Sequence, residues 1–404
     1  MTVDNTKLGL RQNWKAFSIL VFINALVGSL LGLERSVLPI VANEEFNLNG
    51  YTILLTFILS FGFFKAVFNF FAGNWISRFG RKRILVLGWI LAIPIPFLLI
   101  NPPFWSWVIL ANIFLGMNQG LVWSTAVIMK IDLVGKKRRG FAMGINEFSG
   151  YLSVAIGAFI SYWIYTNNSI AFSPFYIGFF IIGLGLILSL VFVHETTSFV
   201  EIEASQSDLV LFENVFTAVT YNNPKLRRIT IAGVINNLND GLLWGILPVL
   251  FMLQSFSGFE AAWLIAIYPA TWGVFQLFTG MLADSYSKKN LIFIGMTMQA
   301  LALILYVFPG TLAYFLLCGV LMGIGTALVY PVFLVSIAEN LHPAQRAKGL
   351  GAFRFWRDMG YVFGAFTCGV LLDNFNFEVA FVLIAGITFL SGLYAIIGGQ
   401  STGN

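Results

Sequence analysis

The sequence predicts an all-α membrane protein of twelve transmembrane helices, arranged as two pseudo-symmetric halves of six helices each. Apolar residues make up 58% of its 404 residues and charged residues only 10%, whereas a soluble domain carries roughly 25% charged residues. The apolar residues occur in runs of about 18 to 25, the length that crosses ~30 Å of hydrocarbon as a helix. The third observation is the distribution of basic residues, which alternates from one loop to the next.

The apolar runs divide the chain into twelve predicted spans. A β-barrel would instead show ~10-residue segments of alternating polarity. The first run is too long for the core of a signal peptide, and no small-residue cleavage site follows it. The predicted spans are residues 14–40, 51–76, 83–100, 105–130, 141–165, 173–193, 228–253, 260–283, 290–308, 312–336, 349–372 and 377–397.

The basic residues orient these spans. Even-numbered loops contain Arg78, Arg81, Lys82, Arg83, Lys136, Lys137, Arg138, Arg139, Lys225, Arg227, Arg228, Lys288, Lys289, Arg346 and Lys348. Odd-numbered loops contain only acids, namely Glu44, Glu45, Glu260, Asp373 and Glu378. By the positive-inside rule the even loops and both termini lie in the cytoplasm. We therefore expect a multi-pass protein of the bacterial cytoplasmic (inner) membrane.

A polar segment divides the chain into a six-helix half at 1–195, a cytoplasmic linker at 196–226 and a second six-helix half at 227–404. An offset of 207 residues relates three pairs at equivalent helix ends: Gly73 and Gly280, Asp132 and Glu339, and Arg139 and Arg346. Within the linker, the spacing of apolar residues over Ser207–Tyr221 is compatible with a helix on the membrane surface or with a disordered tether.

The loop from Gly73 to Arg83 resembles the signature loop of the major facilitator superfamily, roughly G-x-L-x-D-R-x-G-R-K. A second copy runs from Gly280 to Lys289. Ser77 stands where the family has an acid, and the second copy keeps Asp284 but has Ser285 and Ser287 in place of Arg and Gly. The resemblance implies the twelve-helix fold of that family and a latch on the cytoplasmic side. The latch residues would be Gly73, Arg78, Gly80, Arg81, Lys82, Asp132, Gly280, Asp284 and Glu339.

Eight ionisable residues lie inside the predicted spans: Glu34, Arg35, Lys65, Glu147, Asp240, Arg354, Arg357 and Asp358. A charge at a helix centre facing lipid costs at least ~2.5 kcal/mol, so these side chains must face one another or a cavity. Mutual salt bridging and a role in transport both remain open. The candidates for proton coupling are Asp240, Glu147 and Glu34. By analogy with the family, Lys65 and Asp358 form a pair between the halves.

The seventh span carries the most polar face, because Asn236, Asp240 and Trp244 repeat at intervals of four residues. Gln119 and Trp123 share a face of the fourth span at the same spacing. The candidates for the substrate cavity are Arg35, Gln119, Trp123, Asn236, Trp244, Tyr330, Arg354 and Arg357.

Motifs for enzymatic chemistry are absent from the sequence. No nucleotide-binding loop occurs, Cys318 and Cys368 lie inside apolar runs, and no metal-ligand spacing exists. We expect no catalytic activity, no cofactor, no bound metal and no nucleic-acid partner.

The resemblance implies a secondary active transporter that alternates access by a rocker-switch movement of its halves. Proton-coupled efflux of a drug-like or metabolite-like compound, by antiport, is the favoured version. Proton-coupled uptake of an anionic or zwitterionic metabolite is the alternative, because arginine binds such groups bidentately. A non-transporting receptor on the same scaffold is an alternative of another class. The expected partners are a small-molecule substrate, protons and the lipid bilayer, and the expected state is monomeric.

Overall fold

The computed structural model describes residues 7–48, 55–136, 138–167, 173–254 and 256–397, so Lys137 of the predicted basic loops lies outside the description. Within these ranges every secondary-structure element is helical. We call residues before and after the linker the first and second halves.

Among its described residues the first half contains eight α-helices. They are α1 Trp14–Arg35, α2 Leu38–Glu44, α3 Thr56–Phe79, α4 Arg81–Ala92, α5 Pro94–Ile100, α6 Trp105–Val134, α7 Arg139–Asn167 and α8 Ile177–Val191. Pro39 and Pro94 lie in the first turns of α2 and α5. Proline lacks an N–H and clashes with the preceding turn, so it starts a new helix and divides two long apolar runs into two helices each.

The linker is more ordered near its start than the sequence predicts. Its longest helix is α9, Thr197–Ser205. The described backbone over 207–214 is not helical, and only short helical turns follow at Val215–Thr217 and Ala218–Asn222. The surface helix considered for Ser207–Tyr221 is therefore wrong over its first half. The linker helix instead follows the end of α8 closely.

The part of the second half that the structure describes contains six α-helices. They are α10 Pro224–Leu253, α11 Gly258–Ser285, α12 Lys288–Leu305, α13 Leu312–Glu339, α14 Pro343–Asn374 and α15 Phe377–Ile397. The basic turns between α3 and α4, α6 and α7, α11 and α12, and α13 and α14 lie at one end of the bundle, which we call the basic end.

Ten of the described helical segments are long and apolar enough to cross a membrane. The sequence predicts twelve. Two long described helices lie outside this group, α10 with 30 residues and α14 with 32 residues. Both are long enough for a bilayer, but they carry the buried polar and charged side chains described next.

The halves meet mainly along two helix pairs, α3 with α14 and α7 with α11. A Cβ at Gly73 would lie 2.6 Å from the backbone oxygen of Ala347 and 2.9 Å from the Cα of Gly351. A Cβ at Gly280 would lie 2.6 Å from the oxygen of Gly140. Glycine at these two positions lets the backbones of the two halves touch at the basic end, so even one methyl group there would separate them.

Candidate functional site

The most connected charge in the interior is Asp358 on α14, which is fully buried. Its carboxylate accepts hydrogen bonds from Arg357 at 3.0 Å, from Asn237 at 3.2 Å and from Asn69. Lys65 Nζ lies 3.6 Å from Asp358 Oδ1. Lys65 and Asn69 belong to α3 of the first half, so this one carboxylate joins both halves in the middle of the bundle.

Asp240 on α10 lies close to this group. It accepts a hydrogen bond from the hydroxyl of Tyr268 on α11, and its second oxygen lies 3.7 Å from Arg357 NH2. The ring centroid of Trp244 is 6.2 Å from that of Tyr268. Arg357 therefore bridges the two acids Asp240 and Asp358, an arrangement that offsets the desolvation of each.

Two arginines of α14 meet the same tyrosine of α13. The guanidinium carbon of Arg357 lies 4.0 Å from the ring centroid of Tyr330, within the range of a cation–π contact. Arg354 donates a 3.1 Å hydrogen bond to the Tyr330 hydroxyl. Its Nε and NH1 have no hydrogen-bond partner among the described residues. Arg354 thus keeps donors available for an anion.

Glu147 on α7 forms a second acidic position, in the first half. It accepts hydrogen bonds from Asn146 and, at 3.5 Å, from the indole of Trp123. Gln119, one turn before Trp123, donates to the backbone oxygen of Val27 at 2.8 Å and holds α6 against α1. Trp123 thus touches the acid, whereas the amide group of Gln119 bonds to the scaffold.

Glu34 and Arg35 are both about 1% exposed. No carboxylate oxygen of Glu34 and no guanidinium nitrogen of Arg35 makes a hydrogen bond within the described residues. The guanidinium carbon of Arg35 lies 4.4 Å from the ring centroid of Phe61. A buried guanidinium that makes no hydrogen bond among the described residues is costly unless an anion meets it.

Aromatic rings connect these positions across the halves. Tyr151 of α7 stacks on Trp272 of α11 with centroids 3.4 Å apart. Trp123 lies 5.3 Å from Tyr151, and Trp272 lies 5.9 Å from Tyr330. Sequence reasoning selected Trp123 and Tyr330 but missed Trp272 and Tyr268. The signal for these two was their i, i+4 spacing around the Pro269 inside α11.

Asn236 lies apart from this group. Its Oδ1 accepts a 3.1 Å hydrogen bond from Gln299 on α12, and Asn239 donates to the same Gln299 at 2.9 Å. Thr388 on α15 donates to Asn239. These bonds tie α10 to α12 and α15, a role typical of amides between membrane helices. Asn236 and Asp240 thus have different partners, although they share a helix face.

Two residues that the sequence predicts as part of a latch, Arg81 and Asp132, are in contact in the first half. Arg81 Nε donates to Asp132 at 3.2 Å, and Glu195 Oε1 lies 3.8 Å away. Thr196 donates to the same Asp132 oxygen at 2.9 Å. The backbone N–H of Lys82 donates to Glu195 Oε2 at 3.2 Å. The start of α4 therefore contacts two acids, Asp132 of α6 and Glu195 of the segment that follows α8.

Two other candidates of the signature loop, Gly80 and Arg78, lie in different surroundings. Gly80 has φ +85°, in the region that favours glycine, and it begins α4 beside Glu195. Arg78 is exposed and contacts the ring of its neighbour Phe79. Among the described contacts, Arg78 does not reach Asp132.

The second copy of the signature loop forms hydrogen bonds between the two halves. Asp284 at the end of α11 accepts hydrogen bonds from the backbone N–H groups of Gly140 at 2.8 Å and Phe141 at 3.1 Å. Its carboxylate thereby caps the start of α7, where unpaired amides and the helix dipole favour a negative charge. Lys288 pairs with Glu339 at 3.0 Å, at the same offset of 207 residues from Arg81 and Asp132.

Sequence reasoning missed Glu203 of the linker helix α9. Its side chain is 3% exposed and lies between Arg139 and Arg346, the pair already related by the 207-residue offset. Burial raises the pKa of the Glu203 carboxyl, but the hydrogen bonds and charges of Arg346 and Arg139 outweigh it, so the pKa falls below its ordinary value. The linker thus carries the acid that both halves share at the basic end.

The helices, the apolar surface and the buried charges define a multi-pass membrane protein whose interior is built for charged groups. A family model described as Major Facilitator Superfamily matches residues 17–222 and 229–399. The chain belongs to the major facilitator superfamily, as the signature loop predicts.

Similar proteins include transporters of several kinds. The chain is 22% identical over 407 residues to the proton-coupled antiporter flippase LtaA of Staphylococcus haemolyticus, and the match covers 96% of each chain. It is 31% identical over 137 residues to the methyl viologen resistance protein SmvA of Salmonella typhimurium. That match covers 34% of this chain and only 28% of SmvA.

A solved structure has the same fold. The human organic anion transporter MFSD10 (TETRAN) superposes with a TM-score of 0.77 over 95% of this chain and 99% of that chain, at 14% sequence identity. This similarity extends to the fold alone.

Proposed function

We propose that the protein is a proton-coupled secondary transporter in which two six-helix halves, 1–195 and 227–404, rock about a central site. The linker 196–226 connects them. In this proposal α10 and α14 complete a set of twelve membrane spans. Their polar side chains face the interior, which explains why these two helices are less apolar than the others.

The network around Asp358 is the observation that carries the proposal. Its carboxylate is bonded to Asn69 and lies near Lys65 in the first half, and it is bonded to Asn237 and Arg357 in the second. A rocking movement must break one of these two sets of contacts. Protonation of an acid in such a network changes the cost of breaking it, which is how a proton gradient can drive a conformational change.

Asp240 is the proposed proton carrier. It shares Arg357 with Asp358 and receives the Tyr268 hydroxyl, so neutralising it releases Arg357 towards its other partners. Glu147 and Glu34 are the alternative carriers, because both are buried and keep carboxylate oxygens without partners among the described residues.

The proposed transport is efflux, by antiport with protons, of a drug-like or metabolite-like compound. The stacked rings of Tyr151 and Trp272, with Trp123 and Tyr330 beside them, offer flat apolar surfaces next to buried charges. The names of two relatives support this version, since LtaA is called a proton-coupled antiporter and SmvA a methyl viologen resistance protein.

Uptake of an anionic or zwitterionic metabolite is the second candidate. Arg35 favours it, because its guanidinium is buried and makes no hydrogen bond within the described residues. Arg354 adds two further unpaired donors. Carboxylate and phosphate groups match the bidentate geometry of such donors.

Reconstitution in liposomes tests the proposal. Candidate solutes are presented with and without a proton gradient, and both solute flux and proton flux are measured. Asp240→Asn is expected to abolish gradient-driven flux. Glu378→Gln removes an exposed acid of α15 and is expected to behave like the wild type. Proton-coupled transport that is unchanged in Asp240→Asn, Glu147→Gln and Glu34→Gln would contradict the proposal.

We further propose that the basic end faces the cytoplasm of a bacterial cell, with both termini on that side, and that the protein works as a monomer. The positive-inside rule supports this orientation. Labelling of introduced cysteines in intact cells tests it, because the native Cys318 and Cys368 are both buried.

A further inference from the structure

A basic cleft of ≈ 640 Å³ opens at the basic end of the second half, between the starts of α10 and α12 and the end of α13. Four cationic side chains line it: Lys225, Arg228, Lys288 and Lys289. Glu339 is the one acid in the lining, and it is paired with Lys288 at 3.0 Å. The lining therefore carries a net charge of +3, from four cations and one acid, far from the central charge network.

The equivalent helix start in the first half binds a carboxylate of the chain itself. Arg81 and Lys82 stand 207 residues before Lys288 and Lys289. There the carboxylate of Glu195 accepts a hydrogen bond from the Lys82 backbone N–H at 3.2 Å and lies 3.8 Å from Arg81 Nε. The start of α4 is thus an anion site that the chain fills with its own carboxylate.

At the equivalent helix start of the second half, the acid that lines the cleft among the described residues is Glu339, and it pairs with the side chain of Lys288. At the start of α12, the Ser287 side chain accepts no hydrogen bond from the first backbone N–H groups of the helix, so these groups remain available to a ligand. Ser336 gives an independent indication of a ligand. Ser336 lines the cleft and is 3% exposed, and its hydroxyl has no hydrogen-bond partner among the described residues.

We propose that this basic cleft binds the phosphate group of an anionic phospholipid. The phosphate would meet Lys225 and Lys289, the amides at the start of α12 and the hydroxyl of Ser336. Apolar side chains of Ile229 and Ile292 complete the wall and suit the acyl chains that accompany a lipid headgroup. Basic pockets between helices at the cytoplasmic side of a membrane are a recurrent site for such headgroups.

Native mass spectrometry of the full chain in detergent tests the site, with phosphatidylglycerol titrated against phosphatidylcholine. The wild type is expected to bind phosphatidylglycerol more tightly. Lys225→Gln with Lys289→Gln is expected to weaken that binding by about thirtyfold, since each basic residue near a membrane surface contributes ~1 kcal/mol. Ser336→Ala, which changes no charge, is expected to weaken it by about threefold, the loss of one hydrogen bond.

Arg83→Gln with Lys136→Gln is the matched control. It removes two exposed charges at the basic end of the first half and is expected to leave lipid binding unchanged. Equal weakening in both double variants would overturn the proposal, because it would indicate bulk charge rather than a site. Binding of inorganic phosphate that depends on Lys225 and Lys289, without preference for phosphatidylglycerol, would overturn the assignment to a lipid.

Discussion

Glu203 and Arg346 are joined by two hydrogen bonds of 2.8 Å, one to each carboxylate oxygen. Arg139 donates a third, also of 2.8 Å, to the same carboxylate. Arg139 begins α7 in the first half, whereas Arg346 lies in the first turn of α14 in the second. The linker helix α9 therefore holds the two halves together at the basic end.

Glu203→Gln is expected to release α9 from both arginines. Removing one partner of a buried ion pair leaves the others uncompensated, at a cost of ~3 kcal/mol. Hydrogen–deuterium exchange over 197–205 measures this as a loss of amide protection. Glu201→Gln, on the exposed face of the same helix, should leave protection unchanged, and a similar loss in both variants would contradict a specific role of Glu203.

The docking of α9 is expected to weaken in acid. The pKa of Glu203 is lowered in the folded protein from its ordinary value of 4.5. Its stabilising contribution is therefore complete above pH 4.5 and is lost as the pH falls through the lowered folded-state pKa. The same exchange measurement, made from pH 7 down to pH 3, should show falling protection in the wild type. Glu203→Gln should lack this step, and an identical pH profile in the two proteins would refute the assignment.

Asp284→Asn is expected to loosen the contact between α11 and α7. The substitution keeps one acceptor oxygen but removes the negative charge and the second acceptor that face the amides of Gly140 and Phe141, and a charge at a helix N-terminus is worth ~0.3–1 kcal/mol. Thermal unfolding in detergent measures the change. An unaltered melting temperature would show that the cap contributes nothing to stability.

Ser77→Asp is the matched change in the first half, since Ser77 stands 207 residues before Asp284. We expect no stabilisation from it. Whereas α7 begins at Arg139, α14 begins at Pro343, three residues before Arg346, the counterpart of Arg139. The free amides at the start of α14 therefore lie one helical turn before Arg346. There the His342 side chain already accepts a hydrogen bond from the Ala344 N–H. A stabilising Ser77→Asp would contradict this explanation for the serine.

The sequence predicted the helices and the acids at their ends because apolar runs and the 207-residue offset are local or periodic signals. It did not reveal Glu203, since one acid in a polar linker looks like any solvated charge until the two arginines are placed beside it. Asn69 was missed for a similar reason. It lies in a phenylalanine-rich helix, and its importance comes from contacts with Ser124 and Asp358, far away in the chain.

Asp358→Asn is expected to impair transport and stability more than Lys65→Met. The sequence suggests a simple ion pair, for which a double charge swap would restore function. The structure gives Asp358 three further partners, Arg357, Asn69 and Asn237. A lysine at 358 would lie against Arg357, so the swapped double variant should stay inactive. Liposome flux and melting temperature measure both effects, and equal losses in the two single variants would argue for an isolated pair.

Gly280→Ala is expected to hold the basic end apart. The added Cβ would lie 2.6 Å from the backbone oxygen of Gly140 and 2.9 Å from the Cα of Gly144, and backbone atoms cannot move aside as a side chain can. Overpacking of this kind costs ~1–3 kcal/mol. The added methyl therefore favours the state in which α7 and α11 separate. Gly386→Ala is the control, because a Cβ there meets nothing within 4 Å.

Spin labels on cysteines introduced at Lys136 and Tyr286 report this separation. Both positions are exposed, one in each half at the basic end, and the buried Cys318 and Cys368 leave little background labelling. Gly280→Ala should shift the distance distribution between the labels to longer values, and Gly386→Ala should not. If the distribution stays unchanged while the melting temperature falls, the glycine serves packing alone, and close approach of α7 and α11 does not control opening of the basic end.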